Sequence, residues 1–149
     1  MNLSEIQNFY EVTSTLRLAA VETKTCSAII ANHLAVSKIV KETNADFDEI
    51  KQGMLRGLED QLQELLALRQ KYATAKTNVE REELLVKING CKEVLDVEKK
   101  IKDQFEGMLK KEVKIKLDKV EMSQMLAALK EAKPEFTLSD IEKLQIMIK

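Results

Sequence analysis

Over most of this chain the hydrophobic positions recur at helical spacing. The clearest row is Ile50, Met54, Leu58, Leu62, Leu65, Leu68 and Tyr72, at intervals of three and four, which puts one apolar stripe on one side of a helix. Asp46 followed by Glu49 supplies its start. A cap side chain that accepts from the third helical N–H, with a carboxylate reaching back from that position, satisfies two otherwise unpaired donors. A helix is therefore expected over about 46–72. Gly53 and Gly57 lie early in it, each costing about 1 kcal/mol relative to Ala, and are read as close packing or mild fraying, not as a hinge. A second long helix is expected over about 78–111. Thr77 and Glu80 mark its start, and Leu84, Leu85, Ile88, Cys91, Leu95, Ile101, Phe105, Met108 and Leu109 carry the period. Asn89-Gly90 would signal a hairpin between strands. Between helical flanks it is instead a flaw inside this helix, or the point where the helix splits in two. With a turn over 73–78, the two long helices form an antiparallel coiled-coil hairpin.

Upstream, Ser4 with Gln7 marks a first helix carrying Ile6, Phe9, Tyr10 and Val12. The β-branched residues Val12, Thr13 and Thr15 weaken it, so a bend or break is expected near Thr13 to Arg17. A further helix is expected over about 18–42, ended by a break at Thr43 to Asp46. Downstream the period changes. From Glu112 to Asp118 the chain alternates strictly, with Val113, Ile115 and Leu117 on one side and Lys114 and Lys116 on the other, the pattern of a β-strand. A lone strand is unstable; partners for it are another subunit, the Leu144 to Ile148 tail, or the Thr13 to Leu18 region. A C-terminal helical segment over 121–149 follows. Its first helix turns Met122, Met125, Leu126 and Leu129 inward and stops at Pro134; Ser139 with Glu142 opens the last one. The expected fold class is mainly α: one helical domain over 1–149, a bundle or coiled-coil hairpin with one short β element near 112–118.

Composition supports this picture. With four Gly, one Pro and no Trp, breakers are scarce and the core must be aliphatic, a profile of long helices. The 24 basic and 25 acidic side chains are interleaved. Even the richest basic stretch, Lys110 to Lys119, contains Glu112 and Asp118, whereas nucleic-acid binding favours a concentrated positive stripe. A weak nucleic-acid accessory role through Lys110, Lys111, Lys114, Lys116 and Lys119 is thus the least favoured binding alternative. No apolar run reaches 18 residues and the N-terminus does not resemble a signal peptide, so a cytoplasmic protein with no membrane span is expected. Cys26 and Cys91 are far apart in sequence and are read as buried free thiols.

Candidate chemistry is sparse. The single histidine, His33, has Ile29, Ile30, Val36 and Ser37 as its helical neighbours. A Ser–His pair on one helix, without an elbow or oxyanion site, makes a poor nucleophile, so His33 is read as a surface or interface residue. Acidic residues are plentiful but show no Glu-x-x-His pairing, and no phosphate-loop, dinucleotide or metalloprotease motif occurs. The reading is therefore non-enzymatic, with no cofactor, metal or small-molecule substrate. Met108, Met122, Met125 and Met147 follow the helical period and are read as core filling before an adaptable binding surface. The candidate interaction surface comprises Lys114, Lys116, Met122 and Met125.

Three short stretches carry a resemblance: Thr15-Leu16-Arg17-Leu18, Glu112-Val113-Lys114-Ile115 and Met125-Leu126-Ala127-Ala128-Leu129. This layout resembles a group of short phage-encoded helical proteins of unknown function. The likeness covers both ends of the chain and not its middle. Where that group has a basic Ser-Arg cluster, this chain has Glu22, Thr23, Lys24 and Thr25. The resemblance implies a phage or prophage origin, in a bacterial cytoplasm. The function expected is protein–protein interaction, as inhibitor of a host protein or as assembly factor, with a host or phage protein as partner. Self-association as a structural component is the alternative.

Overall fold

Repeated three-and-four spacing yields helices almost throughout. The computed structural model describes residues 1–149 and contains seven α-helices, one short 3₁₀ turn and no sheet, the mainly α class expected. The contacts gather into two compact units: residues 1–45 with 107–149, and residues 46–106. Each is described by itself.

In the first unit, helix α1 (Leu3–Ser14) opens at Asn2 and not at the Ser4–Gln7 pair. The Asn2 side chain accepts from the Glu5 N–H at 2.9 Å, and the Glu5 carboxylate accepts from the Asn2 N–H at 2.7 Å. This reciprocal cap lets the helix start early enough to bury Leu3, Ile6, Phe9 and Val12 on one face. The helix ends at Ser14, within the β-branched cluster, as expected. Helix α2 (Thr23–Leu55) starts later than the expected position near Leu18. The Glu22 carboxylate fixes the start by accepting from the N–H groups of Lys24 and Thr25, both at 2.9 Å, and from the Thr25 hydroxyl. These donors hold the Glu22 carboxyl below its ordinary pKa, the Thr25 N–H contributing most.

Further along, α6 (Met122–Ala132) is capped by Glu121 with Gln124. Helix α7 (Leu138–Leu144) is capped by Thr137 with Asp140, two residues before the expected Ser139–Glu142 pair. Asp140 is buried and also ion-pairs with Lys133 at 3.2 Å; the Thr137 N–H first, and then Lys133, hold its carboxyl below the usual range. A 3₁₀ turn, Gln145–Met147, ends the chain's helical part. Ile6, Phe9, Ile29, Val36, Met125, Leu129, Leu144 and Met147 join in one core.

In the second unit the helix boundaries depart from the sequence reading. Helix α2 runs unbroken through Thr43 to Asp46. Thr43, Asn44 and Asp46 are weak helix formers, yet none is Gly or Pro, and Asp46 caps nothing. The break comes instead at Gly57, whose φ of 84° is left-handed, the geometry in which glycine ends helices. The expected 46–72 helix is therefore the end of α2 followed by α3 (Glu59–Thr74). The expected 78–111 helix is likewise split, into α4 (Asn78–Gly90) and α5 (Lys92–Leu109). Asn89 and Gly90 are poor helix formers, so the split falls there. Thr77 caps α4 as expected, accepting from the Glu80 N–H at 3.2 Å.

The three-residue turn at 75–77 lets α4 fold back along α3, the antiparallel arrangement that short connections impose. Arg69 of α3 makes a forked pair with Glu98 of α5, both bonds at 2.8 Å, and Gln61 reaches Glu93. Both contacts advance in the same sense, so α3 and α5 run side by side in one direction. Leu65, Leu68, Val94 and Ile101 are the buried side chains, and Phe47 meets Phe105 at 4.8 Å between ring centres. Both cysteines are free and half-buried, not fully buried as expected. No helix is long and apolar enough to cross a membrane.

Gly57 and Gly53 make a paired test, because a Cβ meets nothing within 4 Å at either site. Gly57→Ala should destabilise by about 1 kcal/mol, the cost of a left-handed conformation for an L residue. Gly53→Ala, inside α2, should stabilise by up to about 1 kcal/mol. Urea-unfolding midpoints that move in opposite directions check both.

Candidate functional site

The alternating stretch from Glu112 to Asp118 does not form the expected strand. It runs without helix, turn or bend, and the chain has only two isolated bridges, Asn2 with Glu112 and Val120 with Ile148. A ladder needs a neighbouring strand along its whole length, and here each neighbour contributes a single bridge. The alternation survives as burial: Val113 and Ile115 are half-buried and Leu117 is buried, while Lys114 and Lys116 are exposed. Of the expected partners the C-terminal tail contributes, through the Val120 N–H to the Met147 carbonyl and the Lys149 N–H to the Val120 carbonyl, both at 2.9 Å. The N-terminus takes the other end, where the Val113 N–H reaches the Met1 carbonyl and the Leu3 N–H the Lys111 carbonyl. The Thr13 to Leu18 region does not pair with it; the Arg17 N–H goes to the Ala132 carbonyl.

Between these ends a side chain of α2 replaces a strand. Asn32 is 2% exposed. Its Nδ2 donates to the Asp118 carbonyl and its Oδ1 accepts from the Asp118 N–H, each at 2.8 Å. A carboxamide presents one donor and one acceptor in the spacing of a peptide group, so it pairs with Asp118 as a neighbouring strand would. Sequence reasoning passed over Asn32. A polar residue flanked four positions on by Val36 and three positions back by Ile29, on the buried stripe of α2, was the available signal.

The four residues expected to form an interaction surface separate. Lys114 and Lys116 are exposed together on the outer side of the extended segment. Met122 is 37% exposed and faces outward, against the inward placement expected. Met125 is completely buried in the core and offers nothing to a partner. The helical period identified a methionine stripe but not its centre. Met108 and Met147 are buried too, as core filling requires.

Several cations near the segment are already engaged. Lys149 pairs with Glu121 at 3.0 Å and the N-terminal ammonium with Glu112 at 3.2 Å, while Lys119 donates to the Ile146 carbonyl. Lys110, Lys111, Lys114 and Lys116 have no ion pair.

His33, expected at the surface or in an interface, is half-buried and packs against α1. Its Nδ1 lies 2.7 Å from the Thr13 hydroxyl, and its ring stacks on Tyr10 with 5.0 Å between centres. The Thr13 hydroxyl also donates to the Phe9 carbonyl at 2.8 Å. The imidazole thus ties α2 to the last turn of α1. Burial first, and then the charge of Lys41, push its pKa below the ordinary value.

The second unit has an apolar surface of another kind. No residue of α4 is buried, although it carries five large aliphatic side chains. Val79 is 65% exposed, Leu85 45% and Val86 72%, and Leu66 on α3 is 52% exposed. Full burial of one such side chain contributes roughly 1.5–3 kcal/mol, so this helix retains considerable capacity for a further contact.

Two measurements test the geometry of the first unit. Asn32→Ala leaves both polar groups of Asp118 without their partner and should cost roughly 2–3 kcal/mol; Asn32→Asp removes the donor and should be no better. Urea unfolding reads both. The depressed pKa of His33 means that the unfolded chain takes up its proton first as pH falls. Stability is complete above about 6.5, the unfolded value, and declines below it. With one histidine in the chain, a His33→Gln variant should lose that decline between about pH 7.5 and 5.5, followed by unfolding midpoints.

Comparison of the chain with protein-family models, with curated proteins and with solved structures finds no match.

Proposed function

We propose that this chain is a non-enzymatic protein-binding protein, encoded by a phage or prophage, that works as inhibitor of a host protein or as assembly factor. The single observation that carries the binding reading is the uncovered apolar face of the α3–α4 hairpin. Val79, Leu85 and Val86 expose aliphatic surface on α4, which has no buried residue, and Leu66 adds to it from α3; exposed apolar patches of this kind are sites of protein contact. A helix with several aliphatic side chains in water is suited to lie along a groove or another helix of a partner. The phage origin rests on the resemblance carried by residues 15–18, 112–115 and 125–129.

The test compares the wild-type protein with a Leu85→Glu/Val86→Glu variant. Both positions are exposed, so the fold should shift little, within about 0.5 kcal/mol per site; circular dichroism and thermal melts verify this. Captured from bacterial lysate and identified by mass spectrometry, the partner should fall at least tenfold with the variant. A partner retained equally by both proteins, or none found with a monomer at every concentration by light scattering, would overturn the reading. A concentration-dependent dimer lost in the variant would instead establish self-association through this face.

A further inference from the structure

We propose that residues 113–117 form an open β-edge that takes up an extended acidic peptide as an added strand. The inference rests on reading the chain as a protein-binding protein, but it concerns a different surface from the α3–α4 face.

The backbone carries the first part of the argument. The segment has the alternation of a strand, and no residue in it has a positive φ. It is held at both ends: by Met1 and Leu3 at Lys111 and Val113, and by Asn32 and the C-terminal tail at Asp118 and Val120. Between these anchors the N–H groups of Lys114, Ile115, Lys116 and Leu117 have no acceptor within the protein. Lys114 and Lys116 are exposed, Ile115 is half-buried and Leu117 is buried, and an N–H without a partner costs about 1–3 kcal/mol where it is buried, so an added acceptor is favourable here. A pre-extended, anchored stretch of unpaired backbone is the template for strand addition. Asn32 already shows the mode of pairing, since its carboxamide satisfies both polar groups of Asp118 as a peptide unit would.

Charge selects the occupant. The outward side chains are Lys114 and Lys116, with Lys110 and Lys111 just upstream, and none of the four has an ion pair. A second copy of the segment would set lysine against lysine, which opposes pairing, whereas acidic side chains opposite them are favourable cross-strand neighbours. Lysines on an edge are also a common guard against aggregation; a guard alone excludes all strands, while the edge proposed here admits acidic ones.

The test uses the full-length, nitrogen-15-labelled protein and a capped peptide, Glu-Val-Glu-Thr-Glu-Val-Glu. Strand addition engages every second residue of an edge. At saturating peptide, hydrogen exchange should therefore slow at least tenfold at one alternate pair of amides, Lys114 with Lys116 or Ile115 with Leu117, and much less at the other pair. Lys114→Glu/Lys116→Glu should abolish this, leave the thermal melt in place, and shift preference to the lysine version of the peptide. No protection at millimolar peptide overturns the proposal. So does equal binding by the same peptide with alternate amides N-methylated, or by a short oligothymidylate, since either would mean a plain cationic patch. Loss of edge binding with partner capture by the α3–α4 face intact would remove this inference and leave the proposed function standing. The reverse result would remove that face and leave the edge.

Discussion

Seating an extended segment on a helical core without a sheet is the constraint on which the first unit depends. A strand normally satisfies its backbone by pairing with other strands. Here Met1, Leu3, Met147 and Lys149 pair only with its two ends, and the first half of α2 offers a single carboxamide. Asn32 resolves the problem because its side chain carries the same donor and acceptor as a peptide unit, at a position that the helical stripe delivers to the core. Two 2.8 Å bonds at Asp118 then orient Leu117 and Val120 into the aliphatic core. The same arrangement leaves Lys114 and Lys116 in water. A buried polar residue on an apolar stripe is thus what allows the helices and the extended segment to share one core.

Local polar contacts set the helix ends in the same way. Asn2, Glu22 and Thr137 each accept from first-turn N–H groups, while at Glu121 the backbone N–H donates to the Gln124 side chain, and each places the apolar face that follows in register with its neighbours. His33 adds a cross-helix tie between α1 and α2 through Thr13 and Tyr10. That tie is the one point where stability should respond to pH near neutrality. The Asp140 carboxyl is held low, so its contribution persists above the unfolded carboxylate range and is lost only in stronger acid.

The second unit has fewer internal constraints. Its buried residues come from α3 and α5, and the forked Arg69–Glu98 pair joins those helices at the surface. Helix α4 packs along α3, yet none of its residues is fully buried. A helix of 13 residues is marginal in isolation, so α4 depends on its packing against α3. This asymmetry is the ground on which a binding role is proposed for its outer face.

What was legible in the sequence was whatever short-range chemistry determines. The three-and-four period identified helices as the dominant element, Thr77 marked the start of α4, the β-branched cluster marked the end of α1, and Asn89-Gly90 marked where a long helix divides. The alternation at 112–118 correctly assigned which side chains turn inward. Choices among near-equal local options were not legible. Asn2 against Ser4, Thr137 against Ser139, and Gly57 against Thr43 to Asp46 differ by a kilocalorie or so of local free energy, and packing of the core decides among them. The strand became an unpaired extended segment, Met125 entered the core while Met122 turned outward, and Asn32 and His33 found partners 86 and 20 residues away. Those outcomes depend on contacts between residues distant in the chain, which no local pattern encodes, so only the tertiary structure could decide them.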